Sequence, residues 1–421
     1  MRTALDLARA QKIGRLGKEW KIILIDKNDF HLYTPLLYEM ATSSADLSSE
    51  KQIRTGACLD FDILLRNKAI QFAVTSVESI DCQKQIVGLS NGNQLSWQYL
   101  VISLGSETEY FGIPGVSENA YGLKGAKEAM TTRRRLQDLV NSLRNKERDS
   151  IQIVVGGGGA TGVEFAAEMA HYFQKLTRWG FLLKQSWSVV LVEASPRLVG
   201  GFGPKISRLA HARLEALGVK IMLDVCVKKV AARQVVLAPR PLRAGEKEEE
   251  LLCEFAPSKE KILDADMLVW ATGIRANSLL SKCGLEVDTK GRLPVDEHLQ
   301  VRNVENIFAL GDNVLLIDPR LNQPVPALAQ TAIYQGKIAA QNIVRKIQNQ
   351  PLLLYKFYDF PSVAPLGGKY AAAKIGNLII NGFFGWLIHK AADLRYFLSI
   401  LPARQALKLF LRGAIVYSRN D

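Results

Sequence analysis

Paired cysteines are what this sequence most plainly lacks. Its five cysteines, at positions 58, 82, 226, 253 and 283, stand singly, with no CxxC among them. That spacing excludes a redox-active dithiol and a structural zinc site, so no metal is expected. An odd, unpaired set suits a reducing compartment. Also missing is an unbroken apolar run of about 20 residues, the length a spanning helix needs. The longest candidate, IGNLIINGFFGWLIHKAA at 375–392, is interrupted by Asn377 and Asn381 and ends in His-Lys. Low-complexity tracts and solenoid-length repeats are absent. Zinc-finger spacings and RNA-binding aromatic signatures are absent too, which ranks nucleic acid low as a partner. Acidic residues are outnumbered, with 41 Asp and Glu against 54 Lys and Arg, for a net charge of +13. Nucleic acid, an anionic membrane surface or anionic cofactors could each balance that excess. The basic run TTRRRLQDLVNSLRNKER (131–148) reads as a solvated helix face.

A strand is missing where the pattern calls for one. MRTALDLARAQ puts Leu5, Leu7 and Ala8 on one side and Arg2, Asp6 and Arg9 on another, as an amphipathic helix does, and does not read as a secretory signal. KIILIDKND follows, an apolar run closing on Asp26 that reads as a buried parallel strand. A helix feeding such a strand is the second half of a βαβ unit. The first strand and its glycine loop are therefore expected upstream of Met1.

What is present is an ordinary globular composition, 48% hydrophobic and 23% charged, in 421 residues, enough for about two to three domains. The clearest signal lies inside the chain. IQIVVGGGGATGVEFAAEMAHYF runs from a buried strand through Gly157-x-Gly159-x-x-Gly162 into a helix. The first glycine permits the tight turn and the second lets backbone approach a pyrophosphate. The third lets helix and strand pack closely. Free N–H groups at the helix N-terminus suit the phosphates. The next strand, SVVLVEAS, ends in Glu193, which can accept both ribose hydroxyls and would repel a 2′-phosphate. NADH is therefore expected over NADPH, although Arg197 lies four residues on.

Three more stretches are strands that run into small-residue turns: YLVISLGSETEYFGIPG (99–115), ADMLVWATGIRAN (265–277) and VENIFALGDNV (304–314). Their order around an internal dinucleotide motif resembles the flavoproteins with two dinucleotide-binding domains. Within those, the chain is most similar to type II NADH dehydrogenases, the single-subunit NADH:quinone oxidoreductases. FHLYTPLLYEMAT (30–42) looks like their PLLY segment beside the flavin, and PALAQTAIYQGKIAAQNI (326–343) like their AQ helix. The likeness spans nearly the whole chain. The missing dithiol separates it from disulfide reductases of the same fold.

The resemblance implies an α/β fold of two Rossmann-like dinucleotide-binding domains. The NAD domain is inserted in the FAD domain, and a C-terminal amphipathic helical tail follows. On this plan residues 1–115 and 291–350 bind FAD, 116–290 bind NAD, and 351–421 associate with the membrane. FAD is the implied cofactor, NADH the donor and a membrane quinone the acceptor, without proton pumping. By the same likeness Asp26 takes the FAD adenosine ribose and Asp312 the ribityl chain. Pro35, Gly105, Gly311 and Ala329 border the flavin, and Thr272 and Gly273 flank the nicotinamide. Glu164 matches an acid near the stacked rings, though a first-turn acid also suits the helix dipole on its own. Gln330 and Tyr334 would line the quinone pocket. There the chain departs from the family's AQxAxQ, because Tyr334 replaces the second glutamine and Gln335 falls one residue further round the helix.

Apolar clusters at 375–418 alternate with Lys390, Arg395, Arg404, Lys408 and Arg412, as in helices that lie in a membrane interface. Packing on the body, or a homodimer interface, is the alternative. The expected location is the cytoplasmic face of the inner membrane, as a peripheral protein. Two other readings stay open: an FAD-deficient NADH-binding regulatory protein, and a reductase of this fold with another acceptor.

Overall fold

The structure, a computed structural model, describes residues 1–44, 48–242 and 259–418. Contacts gather the chain into two units. The first comprises Met1–His31, Asp60–Glu107 and Ile274–Phe360; the second comprises Leu32–Leu59, Thr108–Gly273 and Pro361–Asp421. Cys253 lies outside the described residues, and the other four cysteines are free thiols.

The second unit is built on a five-stranded parallel sheet. Its order is Ala120–Gly122, Met267–Trp270, Ile151–Gly156, Trp187–Val192 and Val219–Met222. A parallel sheet covered on both faces needs strands that are apolar on both faces. Ile151, Ile153, Val154 and Val155 meet that demand and are buried. Helix Ala160–Arg178 leaves the central strand and carries Val163, Phe165, Ala166, Met169 and Phe173 inward, all with no exposed surface. Chain order reverses on either side of Ile151–Gly156. The crevice beyond the carboxyl ends at such a switch point is where α/β sheets bind ligands.

Residues 362–381 form a three-stranded antiparallel sheet, Ser362–Pro365, Ala371–Ile375 and Leu378–Asn381. The tail is therefore helical only from Gly382, in helices Gly382–Ile400 and Ala403–Tyr417. Strand propensity and tight glycine turns decide 375–381, where helix was expected. Among the described residues no helix is long and apolar enough to cross a membrane.

In the first unit the opening helix runs Arg2–Lys12 and buries Ala4, Leu5 and Ala8. It lies along helix Ala329–Ile347, close enough for Thr3 Oγ1 to donate to the Gly336 carbonyl at 3.1 Å. Gly336 permits that approach, since a Cβ there would press on Arg2 and Thr3. Two parallel pairs supply the strands of interest: Ile23–Asp26 with Gln71–Val74, and Leu100–Ile102 with Ile307–Ala309. Ile307, Phe308 and Ala309 are fully buried in the core of the unit.

Candidate active site

In the second unit, two loops leave neighbouring strands at the switch point. Gly157, at φ +104°, could not carry a side chain, because its Cβ would stand 2.6 Å from the Ala271 carbonyl oxygen. A Cβ at Gly162 would strike the Gly157 carbonyl, so this glycine sets how closely helix and loop pack. Gly159 faces open space and is the N-cap of helix Ala160–Arg178, without a side-chain cap. The first-turn N–H groups are thus left for an anion. Across from them, Thr272 Oγ1 is buried with no hydrogen-bond partner among the described residues. Gly273 lies beside the exposed Phe111 ring, which takes the left-handed backbone (φ +53°) at no small steric cost.

Glu193 does more than its sequence position implies. Its Oε2 accepts the Gly158 N–H at 2.5 Å and its Oε1 accepts the Ser195 N–H at 2.6 Å. The Gly158 carbonyl accepts the Val199 N–H at 2.7 Å, so this residue is held through both of its peptide groups. Charge-assisted bonds of this kind are the strong ones. Glu193 therefore tethers the glycine loop and retains lone pairs for a ribose.

Glu164, on the first turns of helix Ala160–Arg178, belongs to an acid-rich cluster. Its neighbours are Glu39 and Tyr38 from helix Leu37–Thr42 and Asp393 from helix Gly382–Ile400. Burial first, then the Glu39 and Asp393 charges, push the Glu164 carboxyl well above the usual carboxylate range. Burial likewise raises Asp393, opposed by Lys390 and by the bond from the Tyr33 hydroxyl at 2.7 Å. Lys390 donates to Glu39 Oε1 at 2.9 Å and lies 3.9 Å from Asp393. Glu39 Oε2 is buried with no hydrogen-bond partner among the described residues. His389, 3.7 Å from Asp393, is lowered to about 3 by burial and stays neutral at physiological pH. Pro35 sits on the turn Thr34–Leu36 that leads into the same helix.

In the first unit the residues expected to hold FAD again stand at strand ends. Asp26 closes its strand, and its Oδ1 accepts the Asn28 N–H at 2.9 Å. Gly105 and Gly311 follow the paired strands Leu100–Ile102 and Ile307–Ala309, both at positive φ. The Ser106 hydroxyl donates to Asp312 Oδ2 at 2.6 Å, which joins the two loops. Helix Ala329–Ile347 opens with an exposed Ala329 and then Gln330, whose Oε1 is buried without a partner among the described residues. Tyr334 packs into an aromatic cluster with Tyr355 at 5.2 Å and Tyr358 at 5.3 Å, and its hydroxyl bonds to that of Tyr358. Gln335 points inward instead and is 1% exposed.

Sequence reading missed Glu39, His389 and Asp393, and counted Lys390 among the bases of an interfacial tail, where the structure pairs it, half-buried, with Glu39. The run 131–148 departs from expectation as well. Arg133, buried in helix Ala126–Arg144, donates to the carbonyls of Ser43 (2.8 Å) and Ser48 (3.0 Å). The available signal was helical spacing, because Arg133 lies three or four residues from Ala129, Met130 and Leu136 on the apolar face. Among the described residues no group of His, Cys, Asp or Glu could hold a metal ion.

A glycine loop on a parallel sheet, an acid after the second strand and a further set of strand-end loops define an oxidoreductase that handles dinucleotides. The chain belongs to the pyridine nucleotide-disulphide oxidoreductase family, whose model matches residues 1–336. It is 27% identical over 396 residues to a type II NADH:quinone oxidoreductase of Haemophilus influenzae, covering 87% of this chain and 83% of the relative. Its fold is similar to that of NDH2 from Plasmodium falciparum solved with NADH, at TM-score 0.76 and 18% identity, over 96% of this chain and 94% of the other. It is also similar to the sulfide:quinone oxidoreductase of Aquifex aeolicus, at TM-score 0.73 and 21% identity, over 93% and 88%.

Proposed function

We propose that the protein is an FAD-dependent NADH:quinone oxidoreductase that works at a membrane surface without pumping protons. One observation carries the reading. Two residues assigned to opposite ends of the electron path, Thr272 and Gln330, each hold a buried side-chain oxygen with no hydrogen-bond partner among the described residues. Such atoms are costly unless a ligand satisfies them, and these stand where a nicotinamide and a quinone headgroup are expected. The relatives' name supports the same donor and acceptor.

The residues present fit NADH and the ribose, ribityl and ring portions of FAD. Gly157, Gly159 and Gly162 would cradle the NADH pyrophosphate, Glu193 its ribose, and Thr272 and Gly273 its nicotinamide. Asp26 and Asp312 would hold the FAD ribose and ribityl chain, with Pro35, Gly105, Gly311 and Ala329 around the ring. When bound, FAD accepts a hydride equivalent from NADH and passes two electrons to the acceptor. The chain supplies orientation and protons. Glu164, whose carboxyl is pushed above the usual carboxylate range by burial and by the Glu39 and Asp393 charges, is the chain's own group best suited to hold a proton. Residues 1–115 with 291–350 form the FAD-binding part on this reading, 116–290 the NAD-binding part and 351–421 the membrane-associating part.

Helix Gly382–Ile400 supports the membrane assignment through its inverted polarity. It turns His389 and Asp393 inward and Phe383, Phe384, Leu387 and Leu398 outward. Helix Ala403–Tyr417 adds exposed Leu407, Leu411 and Ile415 among Arg404, Lys408 and Arg412. Apolar residues beside bases suit an anionic bilayer surface, on the cytoplasmic face where NADH is available. A homodimer would use some of the same surface.

Gln330→Leu tests the acceptor assignment. NADH oxidation by a soluble dye should remain within about twofold, while quinone reduction falls by roughly 10–100-fold, the effect of one buried hydrogen bond or two. Equal loss with both acceptors would remove Gln330 from the quinone site.

A further inference from the structure

Gln335 raises a question that its displacement from the quinone position leaves open. It is 1% exposed on helix Ala329–Ile347, and a buried amide without partners is destabilising. Its Oε1 accepts the Gly311 N–H at 2.7 Å. Gly311 stands just past strand Ile307–Ala309, at φ +80°, where the ladder no longer supplies a partner for its N–H. Asn313, with no exposed surface, acts on the other side of the same turn. Its Oδ1 accepts the Gly105 N–H at 3.0 Å, and its Nδ2 donates to the Ile102 carbonyl at 3.2 Å. Two buried amides thus bracket Asp312: Gln335 reaches the turn from the helix, and Asn313 ties the turn to the neighbouring strand end.

We propose that Gln335 and Asn313 are positioning residues that hold the turn Gly311–Asn313 in the form that presents the Asp312 carboxylate to the ribityl chain of FAD. This rests on the functional reading above, in which Asp312 faces the flavin. The turn is a single 3-10 turn between strands, tied further by the Val314 N–H to the Gly311 carbonyl and by the Ser106 hydroxyl to Asp312 Oδ2. The geometry also gives the altered AQ helix a consequence. Gln330 and Gln335 lie on one rigid helix, so the bond to Gly311 fixes the acceptor side of that helix to the loop that binds the flavin. On this reading Gln335 serves the flavin loop, while Tyr334 packs among Tyr355 and Tyr358.

The test compares holoenzyme variants at two buried amides of one helix. Gln335→Met keeps the side-chain length and removes the acceptor. Asn342→Leu removes an amide with no exposed surface that bonds the His298 and Leu353 carbonyls, away from the turn. The readouts are the FAD dissociation constant by flavin fluorescence, the visible circular dichroism of bound flavin, and the melting temperature. Gln335→Met should weaken FAD by about tenfold and alter the flavin dichroism, as loss of one buried hydrogen bond implies. Asn342→Leu should lower the melting temperature while leaving affinity and dichroism unchanged. An unchanged FAD constant and spectrum in Gln335→Met overturns the proposal, as does an equal loss of affinity in both variants. Unmodified protein that carries no flavin overturns the functional reading itself, and this role with it.

Discussion

At the scale of single residues, Glu164 gives the sharpest consequence. An acid whose folded pKa lies above its ordinary value of 4.5 holds a proton that the unfolded chain releases. Below that value both states are protonated and the group is neutral in effect. As pH rises through and beyond it, the unfolded state gains by ionising and the folded state loses relative stability. Glu164→Gln removes this penalty and mimics the protonated form. The variant should therefore melt higher than the parent at pH 8, with a much smaller difference at pH 5, while quinone reduction falls. The same melting difference at both pH values would show that Glu164 is not held neutral by the fold. The glycine loop and Glu193 were legible in the sequence because steric limits leave few residue types at those positions. Glu39, Lys390 and Asp393 were not. Glu39 and Lys390 are 351 positions apart, and Tyr33 and Asp393 are 360 apart. No local pattern records a contact of that separation.

The elements were legible where one period dominated the sequence. The opening amphipathic helix and the strands after Trp187 and Met267 lie within a few residues of their expected positions. Helix Gly382–Ile400 was harder to read, because a helix apolar outward and polar inward shows the pattern of an ordinary amphipathic helix turned over. Its buried side matters for any test of membrane binding. Deleting 375–421 would remove Lys390 and Asp393 from the acid cluster. It would also remove Tyr417, whose hydroxyl bonds the Ile53 carbonyl at 2.8 Å. Surface substitution is the cleaner test. Phe383→Gln with Phe384→Gln, at positions 52% and 70% exposed, should leave the fold and dye reduction intact. Sedimentation with anionic liposomes should drop by roughly 100-fold in partition constant if each ring contributes about 1.5 kcal/mol. Unchanged sedimentation would move the membrane contact to another surface.

At the scale of the whole molecule, composition excluded classes and the order of motifs selected one. The charge of +13 left several anionic partners open, and no composition could separate an anionic cofactor from a lipid surface. The order of strand, glycine loop, acid, small-residue turn and AQ helix points to the dinucleotides, because on the proposed reading each piece serves a different part of one electron path. The most direct test is an anaerobic spectral titration of the purified protein. NADH should bleach a bound flavin in stoichiometric amount, and a quinone added afterwards should restore the oxidised spectrum, faster with NADH as donor than with NADPH. A flavin that NADH does not bleach, or that quinone does not reoxidise, would contradict the assignment.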